Sequence, residues 1–333
     1  MNQILTVAAT FIATTLREAF NFEIEKLPLI AQRTTDGYFD YNSEEDDWPR
    51  YVEPKTENLE TPHFGLFRND NWECIGNSFK KNYVPHTTAD VIRVTEAGAA
   101  AFNGDVSLRC HFHNAHYVHI RPTMEERTAI YGTEDSIFPV FGIRGGFDAR
   151  GYQVWLGFGR DMCSNMAELK TVASCRTSIH HDANLSTNMD SLVETFANLK
   201  MNWDELVASV RRMEANEFDI DQFLEAVYPS PEDDDTVRVK NNHYRTIRDI
   251  KLRLSQEYFR TNRPIANIYY RKTSKGDNLI HGRCSGWLLF NAVQGYAQHD
   301  GRGSGTRTEF EGMIRASNSP RVAHAEKLAL YGM

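Results

Sequence analysis

Several common signatures are missing from this chain. No apolar run approaches the roughly 18 residues that would cross a bilayer, and no Cys-x-x-Cys pair occurs. The five cysteines (Cys74, Cys110, Cys163, Cys175 and Cys284) are odd in number and scattered. That excludes a zinc ribbon and a disulfide framework, and it fits a reducing cytoplasm. Basic residues are in the minority: the net charge is −8, so the protein is not coated in positive charge. No internal repeat is visible. The first residues, MNQILTVAATFIATTLREAF, have no basic stretch before their apolar positions. Ile4, Leu5, Ala8, Phe11, Ile12, Leu16 and Phe20 recur at helical spacing, so residues 1–35 are expected to open with an amphipathic helix rather than a signal peptide.

What is present is the composition of an ordinary globular protein, 41% apolar and 25% charged. At 333 residues the chain exceeds what one hydrophobic core usually serves, so two packed units are the default. The charge is unevenly spread. Residues 238–283 hold twelve Lys/Arg against Asp249, Glu257 and Asp277, a net of +9, which leaves −17 for the remainder. Such asymmetry points either to an anionic partner for that region or to solvated helix faces that pair with the acidic half.

Residues 36–62 are acidic and punctuated by prolines, and are expected to form a surface loop. Thr87 begins a helix with Asp90 three residues on, a weak capping box. The stretch CHFHNAHYVHIRP, residues 110–122, sits in a hairpin whose register the hydrophobic pattern selects. A three-residue loop at His113, Asn114 and Ala115 pairs Cys110 with Val118 and Leu108 with Ile120. It gathers Arg109, His111, Tyr117, His119 and Arg121 on the opposite face. A second hairpin, 137–144 with 152–159, is almost continuously apolar and is expected to be covered on both faces. Helical spacing starts near Ser186, PSPEDDDT supplies a linker at 229–236, and a basic helix follows with Ile247, Ile250, Leu254 and Tyr258 as its apolar stripe. Ser285 caps a last long helix, and DGRGSGTR is a loop with Arg302 and Arg307. The fold class is therefore α+β, a central antiparallel sheet built from β-hairpins followed by a mostly helical C-terminal half. Its segments are 63–185 as the hairpin-rich core, 186–228 as a helical segment and 237–333 as a basic helical region packed on the core.

Three chemistries compete for these residues. Among His111, His113, His116 and His119 only two converge readily, which is short of the four ligands a zinc site usually needs. The polar hairpin face suits phosphate and base contacts, because Arg supplies charge while Tyr and His stack; a solvated or helix-covered face is the alternative. Cys163 with His180 or His181 is a candidate nucleophile–base pair, and the competing reading is a structural corner formed by Arg160, Cys163 and Asn165 where the chain leaves the sheet. GIRGGFDARG lacks the lysine and the following helix of a phosphate loop.

FGLFRNDNWECIGNSFKKNYVPHTTADVIR, FPVFGIRGGFDARGYQVWLGFGRDMCSN, SIHHDANL and SGWLLFNAVQGYAQHDGRG occur in the order of the blocks of one family. They resemble the phage- and plasmid-borne family carrying domain of unknown function 932. Its motif residues fall here on Arg160, Cys163 and Asn165, on His180 or His181, and on Gly286, Trp287, Asn291, Ala292 and His299. Two departures stand out: Gly146-Phe147-Asp148 replaces a His-Asp-Gly turn, and Asp182 follows the histidine block in place of a threonine. The resemblance implies a mobile-element protein working in the host cytoplasm around DNA. The first expectation is a non-enzymatic accessory protein that binds nucleic acid, single-stranded DNA above all, in recombination, replication or DNA protection. Arg109, His111, Tyr117, His119, Arg121, Arg245, Arg248, Arg302 and Arg307 would make the contacts. The second is an inhibitor that engages a basic host protein through Glu44, Glu45, Asp46 and Asp47. The third is a Cys/His enzyme centred on Cys163. No metal, cofactor or membrane is expected, and a homo-oligomer is compatible with all three.

Overall fold

In the computed structural model the described residues are 2–7, 22–35, 38–40, 50–101, 106–112, 115–122, 127–132, 135–146, 151–160, 163–167, 169, 176–180, 184–300, 312, 315–316 and 318–332. The main sheet is antiparallel. Its order is β1 (Asn2–Val7), β7 (Val106–Phe112), β8 (Ala115–Pro122), β10 (Asp135–Gly146), β11 (Tyr152–Arg160) and β12 (Cys163–Ala167). Two short strands attach to it, β9 (Thr128–Tyr131) on β10 and β13 (Arg176–Ile179) on β11. The chain is α+β, as its pattern indicates.

The β7–β8 register is the one the apolar alternation selects. Cys110 faces Val118, Leu108 faces Ile120, and Phe112 faces His116. Val118 and Ile120 are fully buried. A slip of one residue would turn both into solvent, which is why the pattern is decisive.

Residues 2–7 correct the expectation of an N-terminal helix. They form β1, paired along β7 from Asn2↔His111 to Val7↔Val106. The helical spacing of Ile4, Leu5 and Ala8 competes with the free edge of β7, whose unpaired amides and carbonyls need a partner; over these six residues the edge wins. The remainder of the expected helix, residues 8–21, lies outside the described residues. Residues 36–62 also differ from a plain loop. β5 (Lys55–Arg68) pairs with β2 (Ile24–Thr35) from Ile24↔Arg68 to Thr35↔Lys55. Beyond them β3 (Tyr38–Asp40) pairs with β4 (Arg50–Val52). Residues 30–34 and 55–60 of this ribbon are exposed on both faces, so these strands carry no apolar alternation to betray them. β6 (Cys74–Phe79) completes the small sheet beside β5.

β10 and β11 sit at the centre, buried on both faces. Phe141↔Leu156 and Ile143↔Val154 face the helices α1 (Thr88–Ala100) and α2 (Leu185–Met201). Phe196 of α2 packs edge-on against Phe141 at 5.1 Å between ring centres. On the opposite face the Trp155 indole lies flat over Gly142, where a Cβ would stand 2.1 Å from the ring. The α1 capping box forms as expected, with Asp90 N–H donating to Thr87 Oγ1 (3.2 Å) and Thr87 N–H to Asp90 Oδ2 (2.8 Å).

The C-terminal half holds α3 (Trp203–Ala215), α4 (Ile220–Val227), α5 (Val237–Arg260), α6 (Gly286–Gly295) and α7 (Pro320–Tyr331). A three-stranded sheet, β14 (Glu217–Asp219), β16 (Asn278–Ser285) and β15 (Ile268–Lys272), joins them. All ten residues of α6 are buried, so it is the axis on which the other helices pack. It is capped by Ser285, as expected, and runs into a π-helical turn at Tyr296–Asp300. One continuous buried cluster runs from Phe22 through β10 and β11 to Leu330. The hairpins and the helices therefore share a core, and residues 229–236 connect two helices of it.

Candidate functional site

Two arginine-rich places emerge, one buried and one exposed. The buried one is centred on Asp135. Arg160, the last residue of β11, donates from Nε and Nη2 to Asp135 Oδ1 (3.0 and 2.7 Å) and from Nη1 to Glu257 Oε2 of α5 (2.6 Å). Trp287 of α6 donates its indole N–H to Asp135 Oδ2 at 2.9 Å. Arg263, just past α5, reaches the same oxygen at 3.5 Å and clamps Glu214 of α3, with Nη2–Oε2 at 2.8 Å. Its guanidinium lies 4.0 Å from the Tyr131 ring centre. The Arg160 and Asp135 side chains have no solvent contact. Two guanidiniums against three carboxylates, each paired, satisfy the condition for keeping charge in a core. The network ties the sheet to α3, α5 and α6.

The exposed place is built from α5 and the β15–β16 hairpin. β15 reads IYYRK, where strand alternation sends Ile268 inward and leaves Tyr269 51% exposed. Tyr269 stacks on His281, its cross-strand partner, at 5.6 Å, and the Arg271 guanidinium lies 5.8 Å from the Tyr269 ring. Phe259 of α5, 60% exposed, is parallel to Tyr270 at 6.3 Å. Tyr270 is fixed by a 2.6 Å hydrogen bond with Ser255. At the hairpin turn Lys275 Nζ is 4.1 Å from the Tyr244 ring of α5. His281 is steadied from below: Asp221 Oδ2 is 2.6 Å from its Nδ1, and Lys251 Nζ donates to Asp221 Oδ1 at 2.5 Å. Burial pushes the Asp221 carboxyl up, but hydrogen bonds from Lys251 and His281 outweigh it and hold the group below its ordinary range.

Not all of the local positive charge is available. Arg248 pairs with Asp249 (Nε–Oδ1 2.9 Å), Lys251 with Asp221, Arg253 with Asp300, and Arg263 with Glu214. Arg238, Lys240, Arg245, Arg271, Lys272 and Lys275 remain exposed, while Arg283 reaches Glu217. Of the two residues singled out on α5, Arg245 belongs to this exposed set and Arg248 is spent on its neighbour.

The other expected residues fall as follows. Arg109 faces His119 and His111 faces Tyr117 across the β7–β8 ladder, and Arg121 faces Ser107. All five positions share the side of the sheet opposite Val118 and Ile120, as the pattern requires. Next to them on β10, His119 neighbours Gly142 and Tyr117 neighbours Arg144. There the Trp155 ring and the buried Arg144 occupy the same side, so any open part of that face is confined to β7 and β8. His116 pairs with Phe112 and belongs to the other side. Among the described residues no group of three or more His, Cys, Asp or Glu could hold a metal ion.

The motif residues divide. Arg160 and Trp287 meet at Asp135, although 127 positions separate them in the sequence. Asn291 donates its amide to the Trp287 carbonyl at 2.7 Å, one turn along α6. His299 lies in the π-helical turn, half-buried. Cys163 pairs with Arg160 at one end of β11, and Asn165 follows on β12. His180 is exposed just beyond β13, whose Ile179 pairs with Tyr152 at the other end of β11. Eight residues of strand separate the two ends, about 26 Å at roughly 3.3 Å per residue. A nucleophile–base hydrogen bond needs about 3 Å, so Cys163 and His180 form no dyad. Burial also raises the Cys284 thiol well above its usual value, which leaves it protonated and inert. His113, His181, Arg302, Arg307 and the acidic residues 44–47 lie outside the described residues.

The reading of sequence missed Asp135, Glu257 and Arg263 in the buried network, and Tyr269 and Phe259 on the exposed face. An isolated acid or arginine carries no sequence signal of a distant partner. Tyr269-Tyr270-Arg271-Lys272 did carry one, since two aromatic residues are followed there by two bases.

The central hairpin sheet is thus locked to the buried α6 through Arg160, Asp135 and Trp287. The family model described as Domain of unknown function (DUF932) matches residues 77–327, and the chain belongs to that family. No curated protein and no solved structure matches it. Among the described residues no helix is long and apolar enough to cross a membrane.

Proposed function

We propose that this protein is an accessory factor of a phage or plasmid that binds single-stranded nucleic acid on the face of α5 and the β15–β16 hairpin. The observation that carries the reading is the exposed Tyr269, stacked on His281 and flanked by Arg271. Single strands are held by stacking bases on aromatic rings while a basic groove tracks the backbone. An acidic protein with one such face gains enough from stacking to bind single strands, whereas a duplex offers it phosphates alone. Recombination, replication or protection of the element's DNA in the host cytoplasm is the setting that fits this activity. Fluorescence anisotropy with labelled single- and double-stranded oligonucleotides across a salt series tests it. Single strands are expected to bind more tightly, with log affinity falling linearly with log salt. Absence of binding at low salt would remove the proposal and turn attention to a basic host protein as the partner.

A further inference from the structure

The β2–β5 ribbon presents an unusual surface. In its outer half residues 30–34 and 55–60 are exposed on both faces, and Ile30 and Leu59 stand open to solvent. A lone two-stranded ribbon is only marginally stable in water, so this one gains from a covering surface. Because both of its faces are exposed, the outer ribbon is not laid on its own body. The segment it carries, residues 36–54, has seven carboxylates against Arg50, a net of −6. The same segment holds five aromatic residues. It is therefore acidic and aromatic, and the α5/β15–β16 face is basic and aromatic.

We infer that residues 36–54 of one copy dock on the α5/β15–β16 face of a second copy. Reciprocal docking makes the contact twice and closes a two-fold dimer. Carboxylates would meet Arg271, Lys272 and Lys275 along the free edge of β15, and the aromatic side chains would cover Tyr269 on one side of that edge strand and Phe259 on the other. The inference rests on the charge of that face and not on nucleic-acid binding there.

Sedimentation velocity of the full chain without nucleic acid, at low and high salt, tests it. Association is expected at low salt and is expected to weaken as salt screens the contact. Arg271→Glu with Lys272→Glu on the face is expected to weaken association about 10-fold or more, and Asp46→Lys with Asp47→Lys on the ribbon segment to do the same. Mixing the two reversed variants is expected to restore association, because each then meets a complementary charge. All the substitutions in the face are at exposed positions, and unchanged melting curves verify folding. A monomer at low salt, association indifferent to both reversals, or a mixture that stays apart would each overturn the inference. Oligonucleotide binding by the ribbon-reversed variant is read separately, so failure here and failure of the nucleic-acid proposal are distinguishable.

Discussion

Arg160 and Arg271 are the same residue type in opposite surroundings. Arg160 is fully buried and spends its donors on Asp135 and Glu257. Arg271 is exposed and lies 5.8 Å from the Tyr269 ring. A guanidinium in a core must be matched donor by donor, and once matched it has nothing left for a ligand. A guanidinium over an exposed ring keeps its donors for phosphate. The difference teaches that Arg160 and Trp287 hold the molecule together, while the binding proposed above would draw on a different segment.

The largest effect should come from breaking the buried side. Asp135→Ala removes the acceptor shared by Arg160, Arg263 and the Trp287 indole. Leaving buried charge uncompensated costs about 3–5 kcal/mol, to be read as a fall in the urea midpoint. Next comes Gly142→Ala in the central strand. The new methyl would stand 2.1 Å from the Trp155 ring, and overpacking of this kind costs about 1–3 kcal/mol; an unchanged midpoint would show that the ring can move aside.

On the exposed side the same midpoint should stay put while affinity falls. Tyr269→Ala is expected to weaken single-strand binding by about 1–3 kcal/mol, the usual worth of one stacked base. The smallest effect concerns pH. Asp221 is held below its ordinary pKa by Lys251 and His281. Its contribution to stability is present above about pH 4 and is lost as pH falls through its lowered folded value. Asp221→Asn should flatten that acid limb in a series of urea melts, while the stability difference near neutral pH stays small because the carboxylate is half exposed.

Legibility in the sequence followed the burial of one face. The β7–β8 register was readable because Leu108, Cys110, Val118 and Ile120 alternate with polar residues, and only one pairing keeps both faces uniform. The α1 capping box and the apolar stripe of α5 were readable for the same local reason. The outer ribbon was not, because with both faces in water its strands have no period to show. Residues 2–7 were misread because the demand of the β7 edge comes from elsewhere in the chain. The joining of Arg160 to Trp287 through Asp135 was invisible for a related reason: the members come from separate elements, and Asp135, Glu214, Glu257 and Arg263 alone look like ordinary surface charges. Counting charge over 238–283 overstated the positive charge left exposed there, since Arg248, Lys251, Arg253 and Arg263 are paired with carboxylates.

The most direct test sets the two arginines side by side. Arg160→Met and Arg271→Met are each measured twice, by urea unfolding and by anisotropy with a single-stranded oligonucleotide at low temperature, where both variants remain folded. The expected result is a crossed pattern: Arg160→Met loses stability and keeps its affinity, and Arg271→Met keeps its stability and loses affinity. If Arg160→Met abolished binding while folded, or Arg271→Met left it unchanged, the division between a structural motif and a separate binding face would be wrong.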